Sequence, residues 1–156
     1  MPNSRMFCPP KIEMFRELRA VQDVSQFKLD GAELLHMLSM FDPYGAWRLD
    51  IESGLVYWTR DSFEIHGMKP TPGPVNLSEA MKSYHPEDRV RLAGAISDVI
   101  RKRSGYRAIL RLAVGDGAYK YIKTNGQFRV NPDGHEEIFG IYTILLDREP
   151  AMALVE

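Results

Sequence analysis

The middle of the chain shows two changes of hydrophobic period over residues 45–67, which read GAWRLDIESGLVYWTRDSFEIHG. Apolar residues alternate with polar ones from Trp47 to Ile51, which predicts a β-strand. A Glu-Ser-Gly turn and a second apolar segment follow, so the pattern is that of a β-hairpin. The next residues suit a short helix that stops at Gly67. A strand, a turn, a strand and a helix are therefore expected in direct succession.

Two helices are predicted on the N-terminal side of the hairpin. Residues 1–10 contain adjacent prolines and are expected to be a tail, and the first helix is expected from Lys11 to about Gln26. A second helix is expected over about residues 31–41, with Asp30 as its N-cap. The apolar stripe of this second helix consists of Leu34, Leu35, Leu38 and Phe41.

The C-terminal side predicts two further helices and then three strands. Asn76 suits the start of a short helix that ends near His85, and Pro86 suits the first turn of a longer one. The strands are separated by Gly- and Asp-rich turns. They are expected at Tyr106 to Val114, Ala118 to Val130 and Glu136 to Leu146. The whole order predicts an α+β domain with a hairpin, three helices and a three-strand meander.

A set of short segments occurs in a characteristic order over about residues 42–147. The segments are Gly45-Ala46-Trp47-Arg48-Leu49-Asp50, Ser53-Gly54, Tyr57-Trp58-Thr59, Phe63-Glu64-Ile65-His66-Gly67, His85-Pro86-Glu87-Asp88-Arg89, Arg111, Asp116-Gly117, Lys120-Tyr121-Ile122, Gly134 and Gly140. With the order of elements, these segments resemble the PAS fold, in the subclass with a His-Pro-Asp-Asp-Arg-like motif. Two segments depart from the pattern. Lys120-Tyr121 replaces the usual Arg-Trp pair, and Ile144-Leu145-Leu146 replaces the Asp-Ile-Thr of many relatives.

The resemblance implies a five-stranded antiparallel sheet with short helices on one face and N-terminal helices flanking it. It divides the chain into an N-terminal tail and helix over residues 1–27, a PAS domain over residues 28–147 and a C-terminal tail over residues 148–156. It also implies a sensory or regulatory role in signal transduction, of the kind found in bacterial two-component proteins.

Composition narrows the possible partners and compartments. The chain has 156 residues and a net charge of −1, from 20 basic and 21 acidic residues, so no broad field attracts nucleic acid or anionic lipid. Its single cysteine excludes an internal disulfide, and the apolar run from Ile138 to Leu146 is too short to span a membrane. We therefore expect a cytoplasmic protein without nucleic-acid or membrane partners.

The cluster His85, Pro86, Glu87, Asp88 and Arg89 could be an acid/base or metal site. Its residue types are explained equally by a helix cap, a proline in the first turn and acids near the helix dipole, with an ion pair that fixes the helix to the sheet. We adopt this structural interpretation.

No residue of the sequence indicates a catalytic, metal or cofactor site. The histidines at 36, 66, 85 and 135 lack the spacing of zinc ligands, and none lies in the long helix from which a haem sensor often supplies its ligand. Cys8 lies in the N-terminal tail, outside the Asn-Cys-Arg-Phe context of flavin-adduct domains. Phosphate-loop, Ser-elbow and zinc-protease motifs are absent from the sequence. The chain is expected not to be an enzyme, and the identity of any cofactor stays open.

A ligand cavity between the sheet and the short helices is the main site hypothesis. Its expected lining residues are Trp58, Phe63, Met68, Tyr84, Leu92, Ile96, Leu110, Leu112 and Tyr142. The polar ends of the tryptophan and the two tyrosines could orient a small molecule. The alternative is a core that is filled by side chains, for which eight methionines are well suited.

The last strand is apolar on both faces, so both faces should be covered. The short helices cover one face, and a homodimer is expected to cover the other. Its interface would consist of Leu34, Leu35, Leu38, Phe41, Phe139, Ile141 and Leu145. A monomer whose own N-terminal helix covers this face is the alternative.

Functionally, the leading hypothesis is a sensor that binds a small ligand or a partner protein and relays the change through a dimer. A ligand-free dimerisation or interaction module is the first alternative, and a small α+β enzyme is the second.

Overall fold

The computed structural model of the chain describes residues 11–15 and 19–145. Its helices and strands, in chain order, are β1 (Lys11–Phe15), α1 (Gly31–Leu38), β2 (Tyr44–Asp50), β3 (Val56–Trp58), α2 (Arg60–Ile65), α3 (Leu77–Lys82), α4 (Pro86–Lys102), β4 (Gly105–Gly115), β5 (Ala118–Val130) and β6 (Glu136–Leu145). Cys8, the C-terminal tail and the predicted end of the last strand at Leu146 lie outside the described residues.

The strands form one antiparallel sheet of six strands in the order β1-β4-β5-β6-β2-β3. The predicted hairpin is confirmed, with Trp47 of β2 opposite Trp58 of β3. The predicted meander of three strands is also confirmed, and β6 pairs with β2 so that Trp47 faces Gly140. This pairing places β2 and β6 side by side in the interior of the sheet. The α+β class is therefore as predicted.

The prediction of a helix from Lys11 to Gln26 is wrong, and the sheet has six strands instead of five. Lys11–Phe15 is a strand that pairs with β4, and a short 3-10 turn at Ser25–Phe27 is the next regular element described. Val21, which lies within the predicted helix, is 97% exposed. The physical reason is that the free backbone groups of β4 provide five residues with partners that a marginal helix does not have.

The predicted helix starts are confirmed by their caps. The Asp30 side chain accepts a hydrogen bond from the backbone N–H of Glu33 at 2.8 Å, and that of Asn76 accepts one from Glu79 at 3.2 Å. Pro86 occupies the first turn of α4, as expected. Helix α1 ends at Leu38, before the predicted end at Phe41, and none of its residues is buried.

Helices α2, α3 and α4 cover the inner face of the sheet, where the core lies. Alternate residues of the central strands point into it, and Leu110, Ile122 and Ile138 are completely buried there. Helix α4 contributes Leu92 and Val99 from its apolar stripe. A smaller adjoining cluster is formed around Phe63 of α2, with Trp58 packed against both clusters. The two clusters therefore meet at Trp58, which marks the junction between them.

Candidate functional site

The nine residues predicted to line a cavity are brought together at this junction. Four are buried in the larger cluster, three are partly buried against it, and two belong to the smaller cluster. In that order they are Tyr84, Leu92, Leu110 and Leu112, then Trp58, Ile96 and Tyr142, then Phe63 and Met68. These nine predicted lining residues thus pack together in the core between the sheet and the helices α2 and α4.

His66 lies at the centre of this lining, although the sequence did not indicate it as a lining residue. Its ring stacks on Trp58 with a centroid separation of 4.2 Å and packs edge-on against Tyr142 at 4.9 Å. Its Nδ1 lies 2.7 Å from the backbone oxygen of Ser62, and its Nε2 lies 2.5 Å from the Tyr84 hydroxyl. Because a carbonyl only accepts, Nδ1–H donates to Ser62 and Tyr84 O–H donates to Nε2.

Burial controls the protonation of these groups. Desolvation lowers the pKa of His66 to about 4, so the imidazole is neutral near pH 7. Desolvation also raises the pKa of Tyr142 to about 12 and that of Tyr84 well above its usual value. The groups at the junction are therefore uncharged at neutral pH. They are hydroxyl, imidazole and indole groups that lie among packed aromatic rings.

The Trp58 indole has an unused hydrogen-bonding group. Among the described residues, its buried Nε1–H has no partner at hydrogen-bond distance. The indole is nevertheless close enough to the Tyr142 hydroxyl to lower the pKa of that group. The indole N–H therefore points towards the Tyr142 hydroxyl without a hydrogen bond of ordinary length to it.

Trp47 and Tyr106 extend the aromatic lining deeper into the sheet. The Trp47 ring lies 5.9 Å from that of Tyr142 and 6.3 Å from that of Tyr106, and its Nε1–H donates to Thr124 at 3.1 Å. Gly126 lies beneath the two rings, where a Cβ atom would come within 2.7 Å of both. The sequence signal for this packing was present as a glycine in the middle of an otherwise regular strand.

The His85 to Arg89 cluster lies at the start of α4. His85 Nδ1 accepts a hydrogen bond from the Glu87 backbone N–H at 3.2 Å and so caps the helix. Asp88 is buried, and its carboxylate accepts from the backbone N–H, Nε and Nη2 of Arg111 at 2.8, 3.1 and 2.8 Å. Arg111 also reaches Glu87 at 3.2 Å. This geometry fixes α4 to β4.

Asp88 and Arg111 each stabilise the charged form of the other. Burial tends to raise the pKa of Asp88, but the hydrogen bonds and charge of Arg111 outweigh it and the pKa is lowered. The same bonds raise the pKa of Arg111 further above its usual value. Arg89 contributes a backbone hydrogen bond to His85, and its buried Nε has no hydrogen-bond partner among the described residues.

In the part of the chain that the structure describes, no group of three or more His, Cys, Asp and Glu residues could hold a metal ion. His36 lies exposed on α1, and His135 lies 3.7 Å from Glu52 on the surface. The histidines therefore lie at four separate places. Within the same residues, no helix has the length and apolar character needed to cross a bilayer.

The residues predicted for a dimer interface lie on two surfaces. On α1 and just after it, Leu34, Leu38 and Phe41 are 43%, 46% and 66% exposed, and Leu35 is half-buried. On the outer face of β6, Phe139 and Ile141 are half-buried and Leu145 is 38% exposed.

The outer face is also more polar than the sequence indicated. Glu137 is buried there, with Arg129 Nε at 2.6 Å and Arg48 Nη1 at 3.4 Å from its carboxylate oxygens. The Arg129 guanidinium also lies 4.0 Å above the Phe139 ring and partly covers it. Side chains of the same chain thus bury part of the outer face of β6.

Comparison with solved structures shows that the chain has the PAS fold. A sensory-box histidine kinase/response regulator from Burkholderia thailandensis matches with a TM-score of 0.56 and 21% identity, over 74% of this chain and 85% of that one. The N-terminal domain of a diguanylate cyclase with a PAS/PAC sensor from Marinobacter aquaeolei matches with a TM-score of 0.53 and 16% identity, over 64% of this chain and 92% of that one. At these identities the likeness concerns the fold.

Two further comparisons involve larger proteins. An RNA-binding light-oxygen-voltage receptor matches with a TM-score of 0.59 and 16% identity, over 71% of this chain and 32% of that one. In sequence, the probable diguanylate cyclase DgcE of Escherichia coli is 25% identical over 132 residues, which is 84% of this chain and 12% of that protein. The chain thus spans about an eighth of that relative. No protein-family model matches the sequence.

Proposed function

We propose that this chain is a cytoplasmic sensory module of a signal-transduction protein, which binds a small, flat and largely apolar molecule at the aromatic junction. The observation that carries the proposal is the arrangement of Trp58, His66, Tyr84 and Tyr142. These groups provide ring surfaces together with uncharged donors and acceptors, and the Trp58 indole N–H is unused among the described residues. Sites for small molecules commonly combine apolar walls with few polar groups in this way.

The binding step would require the rings to separate. Trp58 and His66 are in stacking contact, and Tyr84 is 3% exposed, so a ligand would insert between them or replace the His66–Tyr84 hydrogen bond. A ligand with different affinities for the closed and opened arrangements would then shift the population between them. This is the physical basis for a sensor without catalytic chemistry.

The signal would pass to a second copy or to a signalling partner protein. Helix α1 and the segment that follows it carry exposed Leu34, Leu38 and Phe41 close before β2, which contains Trp47 of the aromatic lining. Together with half-buried Leu35 and with Phe139, Ile141 and Leu145, these residues form the proposed homodimer interface. That nucleic acid is not a partner stays a prediction.

Native mass spectrometry with an absorbance scan of freshly purified protein tests the ligand and the subunit count together. An extra small-molecule mass on the wild type, lost in Tyr142→Phe but kept in Tyr119→Phe, would support binding at the junction. Tyr119 is a matched control because its ring is 40% exposed and lies outside the lining. Apo mass in every sample, with no ligand recovered by a binding screen, would refute the sensor proposal.

The dimer is tested by light scattering after size exclusion. Leu38→Lys places a charge in the proposed interface and should convert a dimer to a monomer. Val90→Lys is the control, because Val90 is an exposed apolar residue of α4 at 74% exposure. Equal masses for both variants would contradict the interface.

A ligand-free interaction module is the second candidate function. The close ring contacts around His66 favour it, since a core that is already filled gains nothing from a ligand. In that case the mass spectrum would show an apo dimer, and only the surface variant would change the assembly.

A further inference from the structure

The outer edge of β4 is covered in two separate parts. Over Gly105–Ile109 it pairs with β1, and further along it is covered by the segment between α3 and α4. That segment contributes hydrogen bonds from His85 N to Arg111 O at 3.0 Å and from Ala113 N to Ser83 O at 2.7 Å. The second cover is built into the domain, whereas the first is supplied by a five-residue strand from the N-terminus.

The structure describes the side chains of three β1 residues, at positions 12–14. Ile12 packs against the core cluster, where it lies opposite the small residue Ala108. Met14 is 37% exposed, and Glu13 pairs with Arg107, whose side chain is 70% exposed. The sequence places Pro9 and Pro10 directly before the strand, and proline cannot extend a hydrogen-bonded ladder.

The described part of the connection after β1, residues 19–30, gives the strand little further support. Every residue from 19 to 30 is exposed, including Val24 and Phe27 at 44% and 69%. Segments with few buried contacts open with a small fraction of the global unfolding free energy. When β1 leaves, the N–H and C=O groups of Gly105–Ile109 are free to pair with another strand.

The geometry points to the β4 edge as a docking groove for an extended segment of a partner protein, with β1 as a displaceable internal occupant. The groove selects an apolar residue opposite Ala108 and an acidic residue opposite Arg107. When β1 leaves, Arg107 loses its contact with Glu13, which favours an acidic residue at the same position of the partner segment. This inference is independent of ligand binding at the aromatic junction.

A fluorescein-labelled peptide of residues 9–18 is the probe, measured by fluorescence anisotropy against the full chain. Ile12→Asp removes the buried anchor of β1 and should raise the affinity for the peptide by about tenfold or more over wild type. A peptide with Glu13→Arg should lose about the same factor on this variant, and adding Arg107→Glu to the chain should restore it. Such compensation would place the peptide in the groove in the β1 register.

A disulfide supplies the matched control and a second route if Ile12→Asp does not fold. Glu13→Cys with Arg107→Cys, in a Cys8→Ser background, joins positions that face each other across β1 and β4. The oxidised chain should bind neither the wild-type peptide nor the Glu13→Arg peptide. The reduced chain should bind both peptides. Equal peptide binding by the oxidised and the reduced chain would overturn the proposal that the peptide binds in the groove. The proposal would also be overturned if the peptide bound neither the reduced chain nor a folded Ile12→Asp chain. Disulfides that form between chains on a non-reducing gel would instead assign the groove to the β1 of a second copy and overturn the partner-protein assignment.

Discussion

Removal of the Asp88 carboxylate is expected to cause the largest loss of stability from a single polar substitution on α4. Asp88 is 1% exposed and receives three hydrogen bonds from Arg111, two of them from the guanidinium. Removing one partner of a buried pair costs about 3–5 kcal/mol, because the other charge is left without compensation. The Arg111 side chain keeps 18% exposure and can recover some hydration, so we expect about 3 kcal/mol for Asp88→Ala.

Urea denaturation followed by circular dichroism measures this loss. For a domain of this size, it corresponds to a decrease in Tm of roughly 6–12 °C. Asp98→Ala is the matched control on the same helix, because Asp98 pairs with Arg101 at 2.8 Å with side chains 41% and 70% exposed. Exposed pairs contribute up to about 1 kcal/mol. If Asp88→Ala and Asp98→Ala lower the free energy of unfolding equally, the assignment of α4 docking to the Asp88–Arg111 pair is incorrect.

The pH dependence gives this prediction a definite sign. The pKa of Asp88 is lowered in the folded protein, so its contribution is present above the unfolded value of about 3.9 and is lost as the pH falls through the folded pKa. The difference between wild type and Asp88→Ala should therefore be constant at neutral pH and shrink below about pH 4. A difference that instead grows on acidification would contradict the ion pair as its cause.

Three other predictions follow from buried groups. The pKa of His66 is lowered to about 4, so protonation favours the unfolded chain and stability should fall as the pH decreases from about 6.5 to 4; His66→Phe should flatten that part of the urea-midpoint profile, and an unchanged slope would argue against it. Tyr84→Phe should cost about 1–3 kcal/mol of unfolding free energy, because His66 Nε2 is left without its donor; a loss below about 0.5 kcal/mol would show that the hydrogen bond is unimportant. Gly140→Ala should prevent folding as judged by circular dichroism, since a Cβ would clash with the backbone of Asn125, whereas Gly94→Ala meets open space and should be tolerated or stabilising.

Local patterns explain which parts of the fold could be predicted from sequence. The caps at Asp30, Asn76 and Pro86 depend on residues within one turn, so they were readable without knowledge of the fold. Strand β1 was not readable, because its partner Arg107 lies 94 residues from Glu13 and the same apolar residues also fit a helical period. Five residues are too few to distinguish a helical period from a strand period. The pairing of β1 with β4 determines that this segment is a strand.

The candidate site was only partly predictable for the same reason. Apolar lining residues follow from their strand and helix faces, and seven of the nine lie on regular elements. His66 was treated as one of four scattered histidines, because nothing in the sequence joins it to Tyr84, which lies 18 residues further along. The buried Glu137 was likewise hidden, since it reads as an ordinary polar residue in an alternating strand until Arg48 and Arg129 are brought beside it.

Tyr84 connects the aromatic junction with the ion pair that holds α4. Its hydroxyl donates to His66 inside the site, while its backbone forms the bridge to Leu112 on the edge of β4. The next residue, His85, caps α4 and donates its N–H to Arg111, the partner of Asp88. A molecule that displaced the Tyr84 side chain would therefore also act on His85, which caps α4, and on β4, to which α4 is fixed. These contacts are consecutive in the chain, so Tyr84 and His85 join the surroundings of His66 directly to the β4 edge.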